Sequence, residues 1–118
     1  MKNTQFFLCC LVSVVLIAAC SGNKTPEEMI TGTWEITKAE GSFADMNLGT
    51  IYTFDGKNEL IMSKGAFENK AEYKIIADTL QYSVGSVSIS VLYKIDDDKL
   101  NLEIIDGDQK FELTRKKE

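Results

Sequence analysis

The chain has 118 residues, 13 of them basic and 18 acidic, no histidine, and a formal net charge of −5. That length accommodates one domain, and an acidic balance without a basic stripe argues against nucleic acid as a partner. The three cysteines, Cys9, Cys10 and Cys20, all fall within the first twenty residues, so the rest of the chain must stand on packing without disulfides.

Residues 1–19 read as a secretory signal: Lys2, an almost unbroken apolar stretch from Phe6 to Ile17, then the small residues Ala18 and Ala19. Twelve apolar residues of helix reach about 18 Å, short of a hydrocarbon layer about 30 Å thick. A stable membrane span is the weaker reading. Ile17-Ala18-Ala19-Cys20 resembles the lipobox of bacterial lipoproteins. That resemblance implies cleavage before Cys20, acylation of the Cys20 thiol by palmitate-type chains, and a membrane partner reached through that anchor. It also implies residence at the cell outer membrane, facing the periplasm or the cell surface. One acyl chain holds a protein marginally, whereas two or more anchor it stably. The competing reading is an ordinary signal with a cysteine beside its cut site. From Cys20 onward 99 residues remain, carrying a net charge of −6, so an anionic lipid surface repels the domain that the lipid would hold there.

Residues 20–30 form a polar spacer with the only proline of the chain. Within it Thr25-Pro26-Glu27-Glu28 offers an N-cap, a proline in the first helical turn and early acids, enough for one short turn of helix.

From Thr31 the texture changes to eight short runs rich in Val, Ile, Tyr, Phe and Thr, separated by turn residues such as Asp55-Gly56, Ala77-Asp78, Gly85-Ser86 and Asp106-Gly107-Asp108. Val87, Ile89, Val91, Tyr93 and Ile95 share one face of their run; Leu100, Leu102 and Ile104 do the same, as do Phe111, Leu113 and Arg115. Period two with one apolar face marks antiparallel sheet. Residues 31–118 are therefore predicted to be all-β: an eight-stranded antiparallel up-and-down meander that closes into a barrel, because closure removes the exposed edges. An open or split β-sandwich is the alternative.

Closure sets the first and last strands side by side, bringing Trp34 and Arg115 together at one rim, both inward. A guanidinium on an indole face contributes about 0.5–2 kcal/mol. Gly32-Thr33-Trp34 resembles the G-x-W signature that opens the first strand of lipocalins, and Arg115 resembles the basic residue packed across that tryptophan. The likeness covers about residues 31–117 and is strongest to the small lipocalin-like domains of lipoproteins from diderm bacteria. It implies a barrel-closing cap made by Trp34 and Arg115, and a ligand-binding mouth at the other rim. The blander reading is a buried tryptophan with a tail cation beside Lys116 and Lys117.

The run GSFADMNL belongs to the rim opposite Trp34, where Phe43 and Met46 are expected to form either a lid or a plug dipping into the core. Inward positions, among them Tyr52, Met62, Phe67, Tyr73, Tyr82, Val87 and Phe111, make a barrel of this width largely filled, with a shallow apolar recess at the mouth. Tyr73 and Tyr82 face each other if Ala77-Asp78 is a two-residue turn. Their hydroxyls, with that of Tyr52, either pair among themselves and the backbone or meet a bound molecule. Candidate ligand contacts are thus Phe43, Met46, Tyr52, Met62, Phe67, Tyr73, Tyr82 and Phe111. With no histidine, nucleophile elbow or phosphate loop, no catalytic or cofactor role is expected. Asp96-Asp97-Asp98 reads as a solvated turn, since it lacks the spacing of a calcium loop. A filled barrel that docks an envelope protein partner through an outer apolar patch, near Leu92 and Ile61, is the rival to the small-ligand reading.

Overall fold

A computed structural model describes residues 24–117, so the signal segment and Cys20 lie outside the described residues. Eight strands follow one another in chain order: β1 (Gly32–Glu40), β2 (Ile51–Phe54), β3 (Glu59–Lys64), β4 (Phe67–Ile76), β5 (Thr79–Val84), β6 (Val87–Asp96), β7 (Lys99–Ile104) and β8 (Lys110–Arg115). Each pairs antiparallel with its neighbours, and β8 returns to β1 to close the barrel. The sandwich alternative is thereby set aside. Two short helices accompany the strands: α1 (Pro26–Ile30) before β1, and α2 (Ala44–Asn47) between β1 and β2.

Alternation builds the core. Trp34, Ile36, Tyr52, Phe54, Leu60, Tyr73, Leu80, Tyr82, Val91, Leu100, Leu102, Phe111 and Leu113 are all buried inside one continuous cluster, while the residues between them on each strand face out. The turn residues Asp55-Gly56, Ala77-Asp78, Gly85-Ser86 and Asp106-Gly107-Asp108 all fall between strands, as expected. The seam between β1 and β8 carries one irregularity. Trp34 pairs with Arg115 and Ile36 with Leu113, but the register then shifts so that Lys38 faces Glu112. Thr37 is the extra residue, its hydroxyl donating to the Glu112 carbonyl at 3.2 Å. This bulge changes the parity of the strand, so Ala39 rather than Lys38 continues the inward face.

Four hairpins use two-residue turns, and in each the first turn residue has positive φ: 60° at Gly65, 54° at Ala77, 62° at Gly85 and 55° at Asp97. The right-handed twist of paired strands requires that geometry. The β2–β3 turn works differently. One carboxylate oxygen of Asp55 accepts backbone N–H bonds from Lys57 at 2.7 Å, Asn58 at 3.1 Å and Glu59 at 3.0 Å. These bonds, that of Lys57 foremost, hold the Asp55 carboxyl below its ordinary pKa.

A pH test follows from that turn. Because the folded state depresses the Asp55 pKa, its contribution to stability is present above the unfolded carboxylate pKa and is lost as pH falls through the lowered folded value. Asp55→Ala is expected to unfold at lower urea concentration than the parent chain at pH 7. The gap should narrow as the pH drops below the carboxylate range. A gap of constant size across urea titrations from pH 7 to pH 2.5 would show that the charge plays no part.

Residues 26–30 are more than spacer. Thr25 caps α1 by accepting from the Glu28 N–H at 3.2 Å, and Ile30 is completely buried in the core cluster. The folded unit therefore starts about five residues earlier than the strand pattern suggests.

Candidate functional site

The barrel has two unlike ends. At the end where the chain enters, α1 stops at Ile30 and presents three successive carbonyls that no further helical turn satisfies. The side chains at the head of the β1–β8 seam take all three. Arg115 donates from Nη2 to the Met29 carbonyl at 2.8 Å and from Nη1 to the Thr31 carbonyl at 2.9 Å. Trp34 donates from Nε1 to the Ile30 carbonyl between them at 2.9 Å. The guanidinium carbon lies 4.1 Å from the centroid of the indole ring, and the positive charge sits at the negative end of the helix, where it is favoured. Trp34 and Arg115 thus meet at this rim, and together they clamp a helix. Gly32 explains the glycine of the motif: its φ is 129°, and a Cβ there would lie 2.8 Å from Arg115 Nη1.

The opposite end is the other rim of the barrel. There β1–β2, β3–β4, β5–β6 and β7–β8 connect, as the meander order requires. Since β2 is only four residues long, the upper half of β1 lacks a strand on one side, and α2 occupies that side near the end of β3. Lys64, the last residue of β3, donates from Nζ to the Met46 carbonyl at 2.6 Å. On the other flank Asp108 accepts from the backbone N–H of Ser42 at 3.2 Å and from its hydroxyl at 3.0 Å. The β1–β2 loop is thus tied to both of its neighbours.

Phe43 and Met46 are 67% and 69% exposed, so neither is a plug in the core. Phe43 is the residue before α2 and adopts a left-handed conformation, φ 62°. Its carbonyl accepts from Asn47 Nδ2 at 2.9 Å.

The eight candidate ligand contacts separate into three groups. Phe43, Met46 and Phe67 stand on the rim, Met62 is half-buried just below it, and Tyr52, Tyr82, Tyr73 and Phe111 are buried. Phe67 corrects the expected interior: alternation places it on the inward face, yet it is 80% exposed. Val87 behaves alike at 57%. Both are first residues of their strands and stand where the wall runs past the packed interior, so parity gives their side but not their depth.

The tyrosine hydroxyls do not converge on one point. Tyr73 is the cross-strand partner of Tyr82 as expected, but its hydroxyl accepts the Gly56 N–H at 3.2 Å in the turn beside α1, at the closed end. The rings of Tyr52 and Tyr82 meet edge to face at a centroid distance of 6.5 Å. Burial holds the pKa of Tyr52 well above its ordinary value, with the neighbouring Tyr82 adding to the shift; Tyr82 is also raised by burial. Both phenols belong to the buried core.

Several residues towards the rim opposite α1 were not legible as such. Asn69 and Ala71 continue the inward face of β4 above Tyr73; Ala71 is small and buried, and Asn69 is exposed. With Met62, Val84, Ile89 and Ile104, all half-buried, they mark the upper interior. Their signal was the β4 parity itself, masked because neither is a bulky apolar residue. Leu48 and Ile105 add exposed apolar surface to the rim. The outer patch expected near Leu92 and Ile61 does not exist as one surface, because β4 and β5 separate their strands. A shallow outer cavity of about 310 Å³ does run over β6, β7 and β8, where Leu92 lies among Lys94, Asn101, Glu103 and Lys110. Comparison of the chain with protein-family models, with curated proteins and with solved structures finds no match.

Proposed function

We propose that this chain is a non-enzymatic, lipid-anchored protein of the cell envelope whose barrel takes a small apolar ligand at its mouth. One observation carries the binding half of that reading. Among the described residues nine large apolar side chains are exposed, and six of them, Phe43, Met46, Leu48, Phe67, Val87 and Ile105, belong to the rim opposite α1, while Met29, Ile76 and Leu92 lie elsewhere. Scattered apolar residues are ordinary on a soluble surface; a collection at one rim marks a binding region. Beneath them Met62, Val84, Ile89 and Ile104 are apolar and half-buried, the residue types that line small-molecule sites.

The anchoring half rests on Cys20 and its resemblance to a lipobox. Four residues lie between Cys20 and Thr25, the cap of α1, so the five chain steps reach at most about 17 Å. The clamped end would therefore sit against the membrane, and the mouth would point away from it. Cys20→Ser is expected to move the protein from the detergent phase to the aqueous phase on Triton X-114 partition; retention in detergent would remove the anchor.

For the mouth, the double variant Phe43→Ser/Phe67→Ser is expected to keep the parent's urea midpoint, since both side chains are exposed, and to lose binding of a neutral apolar dye such as N-phenyl-1-naphthylamine by about tenfold. Equal dye binding by parent and variant would place the site elsewhere. The second reading, a docking module for an envelope protein, is favoured by the way Phe67 and Met46 stand out from the wall. Recovery of a stoichiometric protein partner from the envelope, lost in the same double variant and accompanied by no small molecule, would establish it instead.

A further inference from the structure

We infer that the mouth selects single-chain amphiphiles whose head group is cationic and rejects those whose head group is anionic. This rests on the mouth being the binding site and adds the chemical class of its occupant. Carboxylates are interleaved with the apolar rim: Asp45 precedes Met46 on α2, Glu68 follows Phe67 on β4, and Asp106 follows Ile105 in the β7–β8 loop. Glu40 at the end of β1 and Asp108, which accepts from Ser42, add two more.

Two of the four lysines at this end are paired with carboxylates. Lys110 lies 4.0 Å from Glu103 and Lys38 lies 3.6 Å from Glu112, two neutral pairs. Lys64 carries a full positive charge at the rim, but its ammonium is turned onto the Met46 carbonyl. Lys70 on β4, level with the β5–β6 turn, adds a second. Two such charges stand against five carboxylates, so the field over the mouth is negative. An alkyl chain seated on Met62, Val84 and Ile89 would leave its head group at the level of these carboxylates, within a Debye length of about 10 Å at moderate salt. An ammonium there is attracted, and a sulfate or carboxylate is repelled. The exposed rings of Phe43 and Phe67 add a second preference of the same sign, because an aromatic face attracts a quaternary ammonium and not an anion.

The test uses the Cys20→Ser chain and displacement of N-phenyl-1-naphthylamine, with circular dichroism confirming that the fold persists at each surfactant concentration. Dodecyltrimethylammonium is expected to displace the dye at about a tenfold lower concentration than dodecyl sulfate in 20 mM salt, with dodecyl maltoside between them. The ratio should shrink towards one in 0.5 M salt. Glu68→Gln/Asp106→Asn should lower the ratio at low salt by about threefold while leaving dye affinity unchanged. Dye binding with dodecyl sulfate equal or superior to the ammonium would overturn the inference and leave the mouth standing. Dye that fails to bind at all would remove the mouth, and this inference with it.

Discussion

Replacing Trp34 by alanine is expected to cost about 3–5 kcal/mol of stability, the range for deleting a fully buried large aromatic side chain. Trp34 is completely buried at the head of the seam, and its loss does three things at once. It leaves a cavity, strips the Ile30 carbonyl of its donor and takes away the surface on which Arg115 lies. A single domain of this size holds only about 5–15 kcal/mol in total, so the urea midpoint should fall by about a fifth or more. Trp34→Phe should be milder, since a ring remains beneath the guanidinium while the carbonyl bond is gone. Arg115→Lys should fail to rescue what Arg115→Ala loses: one ammonium cannot span the Met29 and Thr31 carbonyls as the planar guanidinium fork does. A double-mutant cycle of Trp34→Phe with Arg115→Met isolates the helix-clamping bonds from the ring contact. Strict additivity in that cycle would mean that the tryptophan and the arginine act separately.

Gly41→Ala is the second large effect. Gly41 has φ 93°, which an L-residue adopts only under strain. A Cβ there would lie 2.3 Å from the Asp108 carbonyl oxygen and 2.8 Å from its carbon. Both are backbone atoms of the β7–β8 loop, so no side chain can swing aside. The strained φ alone costs about 1–3 kcal/mol, and the clash must in addition push the two loops apart, breaking the Ser42–Asp108 bonds. A Tm drop on the order of 10 °C is expected. Gly49→Ala supplies the control. Its φ of 85° is similar, but a Cβ there meets nothing within 4 Å, so it reports strain without the clash. Equal Tm losses in the two variants would show that the loops tolerate separation. A larger loss in Gly41→Ala, with faster amide exchange at Ser42, is the expected outcome.

The barrel was legible because its evidence is spread along the whole chain. Each run repeats the same alternation, and each gap holds residues that turn. The pairing of Trp34 with Arg115 then needed only the parity of the first and last strands. What stayed hidden depends on single offsets and on height. The bulge at Thr37 leaves no mark in TWEITKAE, since every residue there is compatible with either face. Phe67 and Val87 have the right parity, yet the pattern of a strand does not say how far it overshoots its neighbours. The helix Ala44–Asn47 has no side-chain cap, and it forms because β2 is too short to cover β1. Tyr73 was placed opposite Tyr82 correctly, but the direction of a phenol along the barrel axis is set by which backbone N–H it can reach. At the candidate site, side was therefore readable and depth was not.

The clamp on α1 also sets when the molecule can finish folding. The Met29 carbonyl waits for a donor 86 residues further along the chain, and Thr31 for one 84 residues away. Until Arg115 has been synthesised, the outer side of β1 is an open ribbon of unpaired amides, the kind of edge that joins neighbouring chains. Closing so long a loop is entropically slow and rewards nothing until its last contact forms. A chain cut off before β8 would thus be a curled but unsealed sheet, prone to association with its own copies, and the final strand is the step that makes each copy self-contained.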